Sequence, residues 1–135
     1  MEYLLENNIE GEIGTRNYLC TIFWRNGKML MDEPKSVGGN DLGPDPFSTF
    51  LASLVGCTLS TLRMYIDRKE WNIPEIKISL NLYQETNEKL ETTISRTISF
   101  SGEVSEEQKG RLLIIADKCP ISKLLKGNIT INTTL

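Results

Sequence analysis

A chain of 135 residues with 39% hydrophobic and 24% charged side chains suits one folded domain, residues 1–135, with its own apolar core. Its net charge of −3 speaks against a nucleic-acid binder, which needs a basic face to meet phosphates. No apolar run reads as a membrane span, and residues 1–8 lack the basic and apolar blocks of a signal peptide, so a cytoplasmic protein is expected.

The first third reads as strands. Residues 9–13 alternate apolar with polar side chains, and residues 18–24 are rich in β-branched and aromatic types. Asn26-Gly27 supplies a hairpin-turn signal before a strand at 28–31. From 32 to 45 the composition changes to Gly, Pro, Asn and Asp, which predicts a shaped loop.

Asp45-Pro46 then provides an N-cap and a first helical residue. Residues 47–62 carry no charge at all, and Arg63, Asp67, Arg68 and Lys69 follow only afterwards. A surface helix would show a charged face, so this segment of about four turns is expected to be buried on all sides. One chain of this length can hardly surround such a helix. A second copy is therefore expected to help bury it, in an obligate homodimer with a large apolar interface.

Beyond Trp71, Asn72-Ile73-Pro74 breaks the helix. Ile76, Ile78, Leu80 and Leu82 alternate with polar neighbours as a half-buried strand, residues 86–89 form a turn, and 92–100 return as a second strand. Ser105-Glu106-Glu107-Gln108 reads as a helix start, with Leu112, Leu113, Ile115 and Ala116 as the helix's buried side. Cys119-Pro120 opens a short helix over 121–126, closed by Gly127, and 129–133 read as a last strand. The pattern is α+β, with antiparallel strands flanking one central helix.

Two counts direct the chemistry. The chain has three cysteines and no histidine. In a reducing cytosol any disulfide would be transient and catalytic, and without imidazole neither Ser-His-Asp nor Cys-His pairs are available. A transition-metal site is not expected, nor is any cofactor. By position, Cys57 reads as a core thiol filling a small hole or as a deep nucleophile. Cys119 reads as a loop residue or as a thiol activated at a helix start, where free N–H groups lower its pKa. Cys20, inside a strand, reads as packing. Because Cys57 lies far from its helix's N-terminus, stabilising its thiolate needs a cation, which must be Arg or Lys.

The run Gly38-Gly39-Asn40-Asp41-Leu42-Gly43-Pro44-Asp45-Pro46, the uncharged helix carrying Gly56-Cys57, and Cys119-Pro120-Ile121-Ser122-Lys123-Leu124-Leu125 together resemble the OsmC/Ohr superfamily, in order over nearly the whole chain. The resemblance implies an OsmC-like fold: an intertwined homodimer with antiparallel sheets around long central helices and active sites at the interface. It also implies a response to oxidative stress. Cys57 matches the peroxidatic cysteine that attacks an organic hydroperoxide, and Cys119 matches the resolving cysteine that closes a disulfide. A dithiol reductant, a lipoylated protein in the Ohr branch, would reopen that disulfide. The family's activating arginine matches Arg16 best, in Gly14-Thr15-Arg16, with Arg25 as the alternative. The Ohr branch orients its arginine with a glutamate just after the helix-opening proline, where this chain has Phe47 and Ser48.

The leading expectation is thus a thiol-dependent organic hydroperoxide peroxidase using Cys57, Cys119 and Arg16. Its rival is a non-enzymatic or weakly active dimer of the same fold that binds a small apolar ligand or senses oxidants. A thiol enzyme acting on an acyl group or another electrophile lacks an obvious general base.

Overall fold

The alternation at the start of the chain folds as a three-stranded antiparallel sheet in order β1-β2-β3, formed by β1 (Glu10–Ile13), β2 (Cys20–Trp24) and β3 (Gly27–Met31). The computed structural model describes residues 1–135, which divide into two units, Met1–Phe50 and Leu51–Leu135. In the first unit the β2–β3 hairpin pairs Trp24 with Gly27, so Arg25 and Asn26 form the turn rather than Asn26 and Gly27. Gly27 is needed for a steric reason: a Cβ there would press on the indole of Trp24.

The Gly- and Pro-rich segment is the shaped loop expected of it, and Asp32 organises it. One carboxylate oxygen accepts the backbone N–H groups of Tyr18 (3.2 Å) and Glu33 (2.8 Å). The other accepts those of Asn40 (3.2 Å) and Leu42 (3.2 Å). Asp32 is almost wholly buried. Burial pushes its carboxyl up, but the N–H donors of Leu42, Tyr18, Glu33 and Asn40 outweigh that and hold it below the usual carboxylate range. Gly39 lets the loop close, because a Cβ there would collide with the carbonyl of Glu33.

Helix α1 (Pro46–Arg68) starts as its sequence implies. The Asp45 carboxylate accepts the N–H groups of Phe47 (3.2 Å) and Ser48 (3.4 Å) and the Ser48 hydroxyl, which draws its pKa down. The helix ends earlier than the Pro74 break. Glu70 takes a left-handed conformation (φ 56°), and the N–H of Trp71 reaches back to the carbonyl of Ile66 (3.1 Å). That is a Schellman-type stop made with Glu where Gly would be easiest, and it leaves no sequence signal.

Helix α1 is not buried on all sides within the chain. Leu54, Thr58, Leu62, Tyr65 and Ile66 form one buried stripe at helical spacing, while Ala52, Gly56, Ser60 and Met64 form an exposed one. By length and composition the helix could cross a bilayer, contrary to the sequence reading, although Arg63, Asp67 and Arg68 occupy its last turns.

In the second unit β4 (Ile76–Thr86) and β5 (Leu90–Phe100) make a long antiparallel hairpin closed by residues 87–89. Helix α2 (Glu106–Ala116) starts with the capping box read from Ser105 and Gln108. Helix α3 (Pro120–Lys126) starts at Cys119. The core joins Leu62, Tyr65 and Ile66 of α1 to Ile73 and to Leu112, Ile115 and Ala116 of α2, with Ile76, Ile98 and Phe100 of the hairpin against them. Each fully buried Leu or Ile here contributes about 1.5–3 kcal/mol of transfer free energy.

Leu113 departs from the expected buried side of α2. It stands exposed, one helical step away from Leu112. No strand forms over 129–133 either, since that segment pairs with no other strand of the chain, and Ile129 and Ile131 are exposed.

Candidate functional site

Helices α1 and α3 meet at the sulfur of Cys119 in the second unit. Cys119 is the N-cap of α3, with Pro120 pre-setting the first helical residue, so its side chain folds back to accept the N–H of Ser122 (3.4 Å). The Ser122 hydroxyl lies 2.9 Å from the same sulfur, and the Thr58 hydroxyl of α1 lies 3.7 Å away. Cys57, next to Thr58 on α1, is half-buried and helps to draw the Cys119 thiol's pKa down. The cluster is dry: Cys119 and Thr58 are 0% exposed and Ser122 5%.

Behind the hydroxyls stands Arg96 of β5. One terminal nitrogen donates to Thr58 Oγ1 (2.9 Å) and Ser122 Oγ (3.0 Å), and the other donates to Asp117 Oδ1 (2.9 Å) just past α2. Asp117 also receives Lys126 Nζ of α3 at 3.3 Å. Burial pushes the Cys119 thiol up. The Ser122 hydroxyl and N–H, the Thr58 hydroxyl and the Cys57 side chain more than reverse this and lower its pKa. A cleft of about 790 Å³ opens beside the cluster, with Leu54, Ile94, Ile98 and Leu112 as apolar lining and Arg96 and Ser122 in its wall.

Of the residues expected to act, the structure places Cys57 and Cys119, both free thiols, in the same cluster of the second unit. Cys20, half-buried in β2, points its sulfur at the carbonyl of Tyr18 (3.6 Å). Arg16 lies in the turn between β1 and β2 of the first unit, exposed and without an ion pair. Asp45 is engaged as the cap of α1. Arg96 was not among the expected residues. Its signal was available in the alternation of β5, which places it on the half-buried face shared by Ile94, Ile98 and Phe100. No group of three or more Cys, Asp or Glu side chains is placed to hold a metal ion.

An α+β chain with antiparallel sheets, one long helix and a thiol pair at the start of a Cys-Pro helix defines a recognisable class. The family model described as OsmC-like protein matches residues 38–134, and the chain belongs to that family. No curated protein matches it. Solved structures share the fold at low identity. A Psychrobacter arcticus 273-4 protein named for osmotic stress induction and detoxification response superposes with a TM-score of 0.76 at 14% identity, covering 92% of this chain and 91% of that one. An organic hydroperoxide resistance protein from Elizabethkingia anophelis gives 0.67 at 23% identity, with 93% of each chain covered. The organic hydroperoxide resistance protein OhrB of Bacillus subtilis gives 0.66 at 18% identity, covering 90% and 93%.

Proposed function

We propose that this protein is a thiol-dependent peroxidase that reduces organic hydroperoxides through a two-cysteine cycle. The observation that carries the reading is that Thr58, the neighbour of Cys57 on α1, packs its hydroxyl 3.7 Å from the Cys119 sulfur, which brings two free thiols far apart in sequence to one cluster. In the cycle, the Cys57 thiolate attacks the terminal oxygen of the hydroperoxide. The O–O bond breaks, the alkoxide takes a proton to leave as alcohol, and Cys57 becomes a sulfenic acid. Cys119 then displaces hydroxide from that sulfur, giving a disulfide and water. A dithiol reductant, such as a lipoylated protein, supplies the two electrons that reopen it.

Arg16 is the proposed cation for the Cys57 thiolate, acting in a homodimer in the cytoplasm. The exposed Ala52, Gly56, Ser60 and Met64 stripe of α1, uncharged throughout, supports a second copy as its cover. Structural relatives named for organic hydroperoxide resistance support the substrate class. A second reading, an apolar-ligand binder, has one observation in its favour: neither sulfur lies on the lining of the cleft.

The test is consumption of cumene hydroperoxide by the purified protein with a dithiol. Turnover lost in both Cys57→Ser and Cys119→Ser supports the cycle. A wild-type protein that binds the compound without consuming it would establish the second reading instead.

A further inference from the structure

The donors around Cys119 outnumber what a thiol can use. Its sulfur faces the Ser122 N–H, the Ser122 hydroxyl and the Thr58 hydroxyl, and the oxygens of those two hydroxyls are the acceptors within reach of a Cys119 hydrogen. Each hydroxyl has one hydrogen to give. Both hydroxyl oxygens already accept from Arg96, a donor that never loses its charge, so both hydrogens are free to turn towards the sulfur. Asp117 fixes the guanidinium from its outer side.

We infer that Arg96 is a positioning residue: by donating to Thr58 and Ser122 it aims their hydroxyl hydrogens at Cys119 and keeps that sulfur as the thiolate which closes the disulfide. The closing step rests on the two-cysteine cycle proposed above; the resting thiolate does not. In that step the Cys119 thiolate supplies the electron pair of the new S–S bond and the S–O bond of Cys57 sulfenic acid breaks. Hydroxide leaves and takes up a proton as water.

The other charged groups nearby do not compete for the sulfur. Asp117 and Lys126 meet each other, and Lys118 and Lys123 are exposed. A chain without histidine thus has a half-buried guanidinium acting through two hydroxyls where an imidazole could have stood.

The test uses the full chain carrying Cys20→Ser and Cys57→Ser, which leaves one thiol and keeps a hydroxyl donor at 57. Ultraviolet thiolate absorbance is followed as pH rises. The midpoint is expected below the ordinary thiol value of about 8.5. Arg96→Met should move it up and Arg96→Lys should restore part of the shift. Ser122→Ala should raise it more than Thr58→Val, as the shorter contact requires. With Cys57 restored, Arg96→Met should slow disulfide closure at neutral pH and recover at higher pH, since once the pKa lies above the working pH each further unit of rise cuts the thiolate fraction about tenfold. That pH rescue separates activation from a merely structural role. If Arg96→Met does not fold, Ser122→Ala and Thr58→Val decide the matter. An ordinary midpoint in the single-thiol chain, or one that Ser122→Ala leaves unmoved, overturns the inference. Peroxide consumption is measured separately. A depressed midpoint without turnover overturns the peroxidase reading alone, and turnover with an ordinary midpoint overturns this inference alone.

Discussion

The two faces of α1 make opposite demands, and a pair of truncations separates them. Leu62 is fully buried against the α2 side chains, whereas Met64, two residues on, is 71% exposed in the single chain. Leu62→Ala removes buried methyl groups and leaves a cavity that close-packed neighbours refill only in part, a loss of about 3 kcal/mol within the usual range of roughly 2–5. For a chain of this size that is a fall of roughly 10 °C in Tm. Met64→Ala removes nothing buried within the chain, so in an isolated protomer it should stay within about 0.5 kcal/mol of wild type. If a second copy covers this stripe, as proposed, Met64→Ala should instead destabilise by about 1 kcal/mol or more, with a Tm that rises with protein concentration. Thermal melts of both variants across a hundredfold range of concentration, beside light scattering, read these effects directly. A concentration-independent melt of a folded monomer, with Met64→Ala silent, would refute the proposed dimer. A tolerant Leu62→Ala would refute the packing described for the core.

The acid limb of stability should report Asp32. Its folded pKa is lowered, so its contribution is fully present above the unfolded value of about 3.9 and is lost as pH falls through the lower folded value. Asp32→Asn, which turns an amide N–H₂ against two of the four N–H donors, should lose that contribution at neutral pH and flatten the acid slope in urea titrations from pH 7 to 2. Gly39→Ala should disturb the same loop by collision with the Glu33 carbonyl, visible as faster amide exchange at Asn40 and Leu42. Arg16→Ala should remove most peroxide consumption while Arg25→Ala does little; the reverse result would move the activating role to Arg25.

Elements whose cause is local were legible in the sequence. Asp45-Pro46, the capping box at Ser105 and Gln108, and the Cys119-Pro120 start each declare a helix end through two or three adjacent residues, and the structure places them there. The alternation of Ile76 to Leu82 likewise gave a strand, though both hairpin strands run to eleven residues. What stayed hidden depends on partners distant in sequence or on unusual backbone. The left-handed Glu70 that stops α1 uses a residue that does not announce it. Ile129 and Ile131 have strand-like side chains but no strand to pair with. The thiol pair was visible through the family resemblance, whereas Arg96 looked like any polar residue of a hairpin. Only the meeting of α1, β5 and α3 gives it two hydroxyls to direct.

The central claim is that Cys57 and Cys119 act as one redox pair. Peptide mapping after one equivalent of an organic hydroperoxide, with alkylation of the remaining thiols, tests it most directly. The account predicts a Cys57–Cys119 disulfide with Cys20 still free. A disulfide through Cys20, or Cys57 driven to sulfinic acid while Cys119 stays reduced, would contradict it.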